Sequence, residues 1–240
     1  MGISVVLLAC KEAENLKVLL PQIHEAVKKC NEEYEILVID TAQPLDNTED
    51  VCRKYNAKYV NQEEPYFGGA FRTGIKYASM DKFLILDSDG SHPPKYIPDL
   101  YSKFVDEKYD VVIGSRYVEG GVTYDVKTSQ IMSKILNTTF RFFLGIKAKD
   151  ISTDYRMYVT KQLKRVDLKC KNYDVLQEVL LKLRINKKDL KIGEVPISFD
   201  KRMYGESKRH LIKFIISYIK TLCYLTAIRI KHCFSKGGLA

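Results

Sequence analysis

At 240 residues the chain suits one large domain or one domain with an appendage, and its 45% hydrophobic residues are enough for a sizeable core. Net charge is +9 but unevenly spread: residues 1–200 hold 30 Lys and Arg against 29 Asp and Glu, while residues 201–240 hold 9 against 1. The six cysteines form no C-x-x-C pair and no metal-ligand spacing, which excludes a disulfide framework or a zinc module and fits reduced thiols in a cytoplasmic protein.

The first apolar run, Ile3 to Leu8, is too short for a secretory signal, so no export is expected. It opens an alternation of β-branched strands and helix-period segments, the signature of a parallel sheet wrapped by helices. Strands are predicted near Ser4–Leu8, Glu35–Ile39, Lys58–Val60, Phe83–Leu86 and Val111–Gly114, and helices near Glu14–Lys29, Thr48–Tyr55, Ala70–Ala78 and Ile97–Phe104. That order is the one found in nucleotide-binding α/β domains. Beyond Gly114 the pattern changes to a helix at Ser129–Phe143, a strand at Arg156–Val159, a helix at Val175–Leu183, extended segments at Leu190–Val195 and Ile197–Phe199, a loop from Asp200 to Lys208 and a long final helix.

The most informative stretch is FLILDSDGSHPP, Phe83 to Pro94. A buried strand ending in Asp87-Ser88-Asp89 delivers two carboxylates to the C-terminal edge of the sheet, where open α/β folds bind ligands. Residues two apart on a strand share a face, so both acids can reach one cation. With the Ser91 hydroxyl they make a set of hard oxygen donors suited to Mg²⁺ or Mn²⁺. Taken alone, a D-x-D more often just opens a loop and caps the turn behind it.

Seven segments in one order resemble the family 2 glycosyltransferases of GT-A fold, in the branch that charges polyprenyl phosphates. They are VVLLACKEAENL, VIDTAQPLDNT, FGGAFRTG, LDSDGSHPP, VVIGSRY, DISTDYRMY and EVPISFDKRMYGESK. The resemblance implies a GT-A domain over residues 1–208, a Rossmann-like nucleotide-binding sheet flanked by helices; the basic excess and helical spacing of residues 209–240 suggest a basic amphipathic helix and tail behind it. It implies a nucleotide-sugar site built from Leu8, Ala9, Glu12, Asp40, Gly69, Arg72, Asp87, Ser88 and Asp89, and a metal site of Asp87, Asp89 and Ser91. Asp89, Asp154, Arg116 and Glu178 take catalytic places, and Arg116, Ser133, Arg202, Ser207 and Lys208 hold the acceptor phosphate. An acid two residues before Arg156 points to the bacterial polyprenyl branch.

Each residue also has a plainer reading. Glu12 equally suits a first-turn acid on the helix dipole, Gly68 and Gly69 suit a tight turn, Arg116 a surface arginine and Glu178 a solvent-facing helical position. The family's Asp-Asp-x-Ser after the second strand is Asp40-Thr41-Ala42-Gln43 here, with an extra residue before Asp46. Its first-strand Pro and Asn-Glu are Leu8 and Lys11-Glu12, and the arginine about a dozen residues after GSRY is Ser129, with Lys127 nearby.

The implied reaction is inverting transfer of one sugar from a nucleotide diphosphate sugar, GDP-mannose or a UDP-hexose, to dolichyl or undecaprenyl phosphate. The alternative is transfer to a saccharide hydroxyl in cell-surface polysaccharide, which would need Asp154 or Glu178 as a base. Placed on a helix, Ser207–His232 brings Arg209, Lys213, Lys220 and Lys231 within about 40° of one another, with Leu, Ile and Phe around them. That stripe, interleaved with apolar residues, favours a membrane surface over nucleic acid and places the protein peripherally on the cytoplasmic face. The resemblance also implies a small membrane-protein partner.

Overall fold

The computed structural model describes residues 1–204 and 211–237. Nine strands and eight α-helices are defined among them. The first half runs β1 (Gly2–Leu8), α1 (Ala13–Lys28), β2 (Glu33–Asp40), α2 (Thr48–Lys54), β3 (Lys58–Asn61), α3 (Tyr66–Tyr77), β4 (Lys82–Asp87), α4 (Ile97–Asp106) and β5 (Val111–Ser115). There follow β6 (Val122–Thr123), α5 (Lys127–Leu144), β7 (Arg156–Val159), α6 (Thr160–Leu163), α7 (Val175–Asn186), β8 (Ile192–Pro196), β9 (Ser198–Phe199) and α8 (Leu211–Gly237).

Seven strands form one sheet in the order β3-β2-β1-β4-β7-β5-β8. The chain winds outward from β1 to β3 and then returns to β4 on the other side of β1. This reversal opens a crevice at the C-terminal ends of β1 and β4, where Leu8 lies opposite Asp87. Side-chain alternation sorts the strands onto two cores. Val6, Phe83, Ile85, Val111 and Ile113 face α3, α5, α7 and α8. Val5, Leu7, Leu84, Leu86 and Val112 face α1, α2 and α4.

The sheet departs from the expected parallel pattern at β7, which pairs antiparallel with both β4 and β5. Its Arg156 is buried and anchors the inserted strand. The guanidinium donates to the carbonyls of Ile151 and Leu176, both at 2.8 Å, and to Tyr158 Oη at 3.2 Å, tying the strand to α7.

Helix α3 begins four residues before the predicted start, so Gly68 and Gly69 lie inside a helix instead of a ligand-facing turn. A Cβ at Gly68 would overlap the Cys170 carbonyl oxygen, and one at Gly69 would overlap that of Glu64. Gly68 N–H donates to Lys171 O at 2.8 Å, so the glycines let a neighbouring segment pack against the helix.

Helix α8 packs on α5 and α7 through buried Tyr218, Thr221 and Leu225. Arg229, which sits on that side, donates to the carbonyls of Phe142 and Phe143 at 3.3 and 2.6 Å and so satisfies the C-terminus of α5. The stripe residue Arg209 lies outside the described residues. No described helix is long and apolar enough to cross a membrane.

Candidate active site at the carboxyl edge of the sheet

Strand β4 ends at Asp87, and the tight turn behind it is closed by its own side chains. Asp89 accepts from the Ser91 amide at 2.9 Å and from Ser91 Oγ at 2.6 Å, while Asp87 lies 3.2 Å from the same hydroxyl. Gly90 takes φ +82°, where glycine is favoured. Ser88 donates to Leu8 O at 2.7 Å, which fastens the turn to the end of β1. Asp87, Asp89 and Ser91 thus share one small space, as their spacing suggests.

Two further residues join them. The antiparallel register sets Ile85 against Arg156, and two residues further on this brings Asp154 across from Asp87. Asp87, His92 and Asp154 can each offer a ligand atom, all within 4.8 Å of one another. Burial pushes the Asp154 carboxyl well above the ordinary range, and the neighbouring Asp87 charge pushes it further. Burial likewise lowers His92, against the pull of Asp87 and Asp89. His92 Nδ1 accepts the Asp87 amide at 3.1 Å, and Nε2 lies 3.2 Å from Thr153 Oγ1. Crowded carboxylates, a hydroxyl and an imidazole form a donor set that fits Mg²⁺ or Mn²⁺, whose charge would relieve the repulsion between the acids. His92 was legible only as the neighbour of Ser91 in SHPP.

Arg116 leaves β5 and turns inward. Its Nε and Nη2 hold Asp150 at 2.7 and 2.9 Å, and Nη2 also reaches Ser152 at 2.7 Å and Ser133 at 3.3 Å. It is 9% exposed, so the surface-arginine reading fails. Arg116, Ser133, Asp154, His92 and Asp87 line a cavity of about 440 Å³, whose remaining wall includes apolar Met132, Leu136, Leu176 and Tyr218.

Other expected residues stand elsewhere. Glu178 is fully buried on α7, accepts the Lys169 and Cys170 amides at 2.9 and 2.8 Å and pairs with Lys182 at 2.6 Å. It anchors a loop and does not line the cavity, a correction to its expected acceptor-facing place. Arg72 is held by Glu64 and by the Cys170 carbonyl, within the same packed corner as Gly69. Asp40 is buried at the end of β2, where it accepts from the Thr41 amide at 2.8 Å and Tyr59 Oη at 3.1 Å. Burial raises its carboxyl above the ordinary range. Leu8 ends β1 at the crevice and Ala9 follows it, its N–H bonded to Ile39 O at 2.8 Å.

Glu12, 7% exposed, is raised by burial, although Asn15 and Arg202 favour its charged form. Arg202, expected to hold the acceptor phosphate, bridges Glu12 at 3.0 Å and Asp89 at 2.9 Å at the ends of β1 and β4 and is not among the residues lining the cavity. Ser207 and Lys208 lie outside the described residues.

Residues 4–167 match the profile described as glycosyl transferase family 2. The chain belongs to this family. It is 32% identical to a dolichol-phosphate mannosyltransferase of Pyrococcus furiosus over 87% of its own length, spanning 59% of that relative. It is 32% identical to an undecaprenyl-phosphate mannosyltransferase of Micrococcus luteus, over 82% of this chain and 83% of the relative. A glucosyl-3-phosphoglycerate synthase from Mycobacterium tuberculosis, solved with Mn²⁺, UDP and glucosyl-3-phosphoglycerate, superposes with a TM-score of 0.74 at 20% identity, covering 94% of this chain and 80% of that one. The fold is therefore GT-A, and the chain is a family 2 glycosyltransferase.

Proposed function

We propose that this glycosyltransferase moves a single sugar, with inversion, from GDP-mannose or a UDP-hexose to a polyprenyl phosphate. The observation that carries the reading is the cavity whose lining joins the Arg116 guanidinium and the metal-capable group Asp87, His92 and Asp154 to the apolar side chains of α5, α7 and α8. Such a lining suits an acceptor that is anionic at one end and hydrocarbon at the other. The names of the relatives above point the same way.

A phosphate monoester is already ionised near neutral pH, so its oxygen attacks the anomeric carbon without a strong general base. The protein's task is then to position and to balance charge. Arg116, fixed by Asp150, presents a rigid cation to the cavity beside Ser133 and Ser152. Asp87, Asp89 and Ser91, with His92 and Asp154 behind them, would hold Mg²⁺ or Mn²⁺, which when bound neutralises the departing diphosphate.

The membrane enters through α5 and α8. Ile131, Ile135 and Phe142 on α5 are exposed, as are Ile219, Ile230 and Phe234 on α8. Neither helix sequence contains an acid, whereas Lys127, Lys134, Lys220 and Lys231 stand among the apolar residues. This composition suits a helix pair seated on the anionic cytoplasmic face of a membrane, beside the acceptor's headgroup. A small membrane-protein partner would add to that anchorage.

The test is turnover of labelled GDP-mannose and UDP-glucose with Mn²⁺, with and without undecaprenyl phosphate. Label should enter the organic phase only with the lipid, and Asp89→Ala should abolish it. Label passing to a saccharide hydroxyl, with none on lipid, would overturn the reading in favour of polysaccharide synthesis.

A further inference from the structure

The segment after β9 is fastened across the crevice by four backbone contacts. Asp200 N–H donates to Ser91 O at 2.9 Å, and Met203 N–H donates to Asp89 O at 3.0 Å. Asn15 clamps Tyr204 from both sides, accepting its amide at 3.0 Å and donating to its carbonyl at 3.3 Å. Met203 lies directly over the space that a side chain at Gly90 would fill. Arg202 is thereby held between the ends of β1 and β4.

Its two terminal nitrogens divide between two acids, Glu12 at 3.0 Å and Asp89 at 2.9 Å. Both carboxylates are nearly buried, with side-chain exposures of 8% and 13%, so neither is balanced by bulk water alone. Arg202 therefore supplies positive charge to both acids. The guanidinium takes Asp89 Oδ2, the oxygen not already engaged by Ser91, so a divalent cation held by Asp89 would have to compete with it there.

We propose that Arg202 is a displaceable internal cation: it occupies the Glu12–Asp89 pair in the free enzyme, and arrival of the metal-bound nucleotide ejects it toward the incoming phosphates. The inference rests on the donor and metal reading above and adds an order of events to it. Because Arg202 and the cation exclude each other at Asp89, donor binding has a built-in differential affinity for the two arrangements. The freed guanidinium, on a segment joined to the crevice by backbone bonds, then becomes available to an anionic substrate only after the donor is in place.

Mn²⁺ titrations of the full chain, read by the electron paramagnetic resonance of free Mn²⁺, test this without turnover. In the absence of nucleotide, Arg202→Ala should bind Mn²⁺ about three- to tenfold more tightly than wild type, because the competing state is removed. Arg202→Lys should fall between them. With saturating UDP or GDP the advantage of Arg202→Ala should vanish, since the wild-type arginine has by then left. Lys201→Ala, which removes an exposed neighbouring charge, is the control for a general field effect. Equal gains in Lys201→Ala and Arg202→Ala, or a gain in Arg202→Ala that persists with nucleotide, would overturn the proposal. So would unchanged affinity in Arg202→Ala where Asp89→Ala abolishes binding. Absence of Mn²⁺ binding in every protein, wild type included, would instead remove the metal reading on which the proposal stands.

Discussion

Arg116 and Asp150 form a two-bond pair, Nε to Oδ2 at 2.7 Å and Nη2 to Oδ1 at 2.9 Å, in which the carboxylate is fully buried. Burial opposes the charge on both partners. The hydrogen bonds and mutual attraction outweigh it, leaving the Asp150 carboxyl below the ordinary range and Arg116 raised. The pair fixes the cavity wall from which Arg116 acts.

Asp150→Asn should therefore be strongly destabilising, by about 3–5 kcal/mol, because it strands a buried guanidinium. The urea midpoint measures it. The double variant Arg116→Met/Asp150→Leu should recover most of that stability while losing the cavity's cation. A midpoint equal to wild type in Asp150→Asn would show that water reaches the pair.

Gly69→Ala tests whether the glycines serve packing or ligand approach. A methyl there meets the Glu64 backbone, so α3 and the preceding loop must part, at a cost of about 1–3 kcal/mol. Thermal unfolding should show a lowered midpoint, whether or not nucleotide is present. A loss confined to nucleotide affinity, with the midpoint unchanged, would return Gly69 to the donor site.

Asp110 gives the fold a pH dependence remote from the site. Burial raises its carboxyl, but Lys187 at 2.8 Å, the Lys191 amide at 2.9 Å and Gln162 at 2.7 Å outweigh this and leave it lowered. A lowered acid contributes stability that is present above its unfolded value, about 3.9, and is lost as pH falls through the folded value. Urea midpoints of wild type and Asp110→Asn should thus differ at pH 6 and converge as pH falls through the lowered folded value. A gap that stays constant across this range would assign the effect to geometry alone.

The exposed faces of α5 and α8 can be separated from their buried faces. Phe142→Glu/Ile219→Glu should leave the fold intact and abolish sedimentation with anionic liposomes, to which wild type should bind in a salt-sensitive manner. Leu225→Ala, on the buried face, should instead cost about 2–5 kcal/mol of stability. Wild type that ignores anionic liposomes at low salt would remove the membrane surface from the proposal.

Much of this protein was legible in one dimension because local rules govern it. The β-branched runs and the helix-period segments between them place the first five strands, and the spacing of Asp87, Asp89 and Ser91 alone puts three oxygen donors in one turn. Strand β7 was also legible, with its limits at Arg156 and Val159. Its direction was not, since a strand's sequence carries no sign of whether its neighbours run with it. Only the antiparallel placement brings Asp154 against Asp87 and His92. The partners of each charge were equally hidden. Glu178 and Arg202 read as site residues from their segments, yet bonds to the loop eight and nine positions before it make the first a loop anchor, and long-range contacts set the second on Glu12 and Asp89. Sequence determined which residues reach the sheet edge, because strand period and turn chemistry act over a few positions. Tertiary structure decided which of them face one another, because pairing of buried charges is settled by residues up to 190 positions apart.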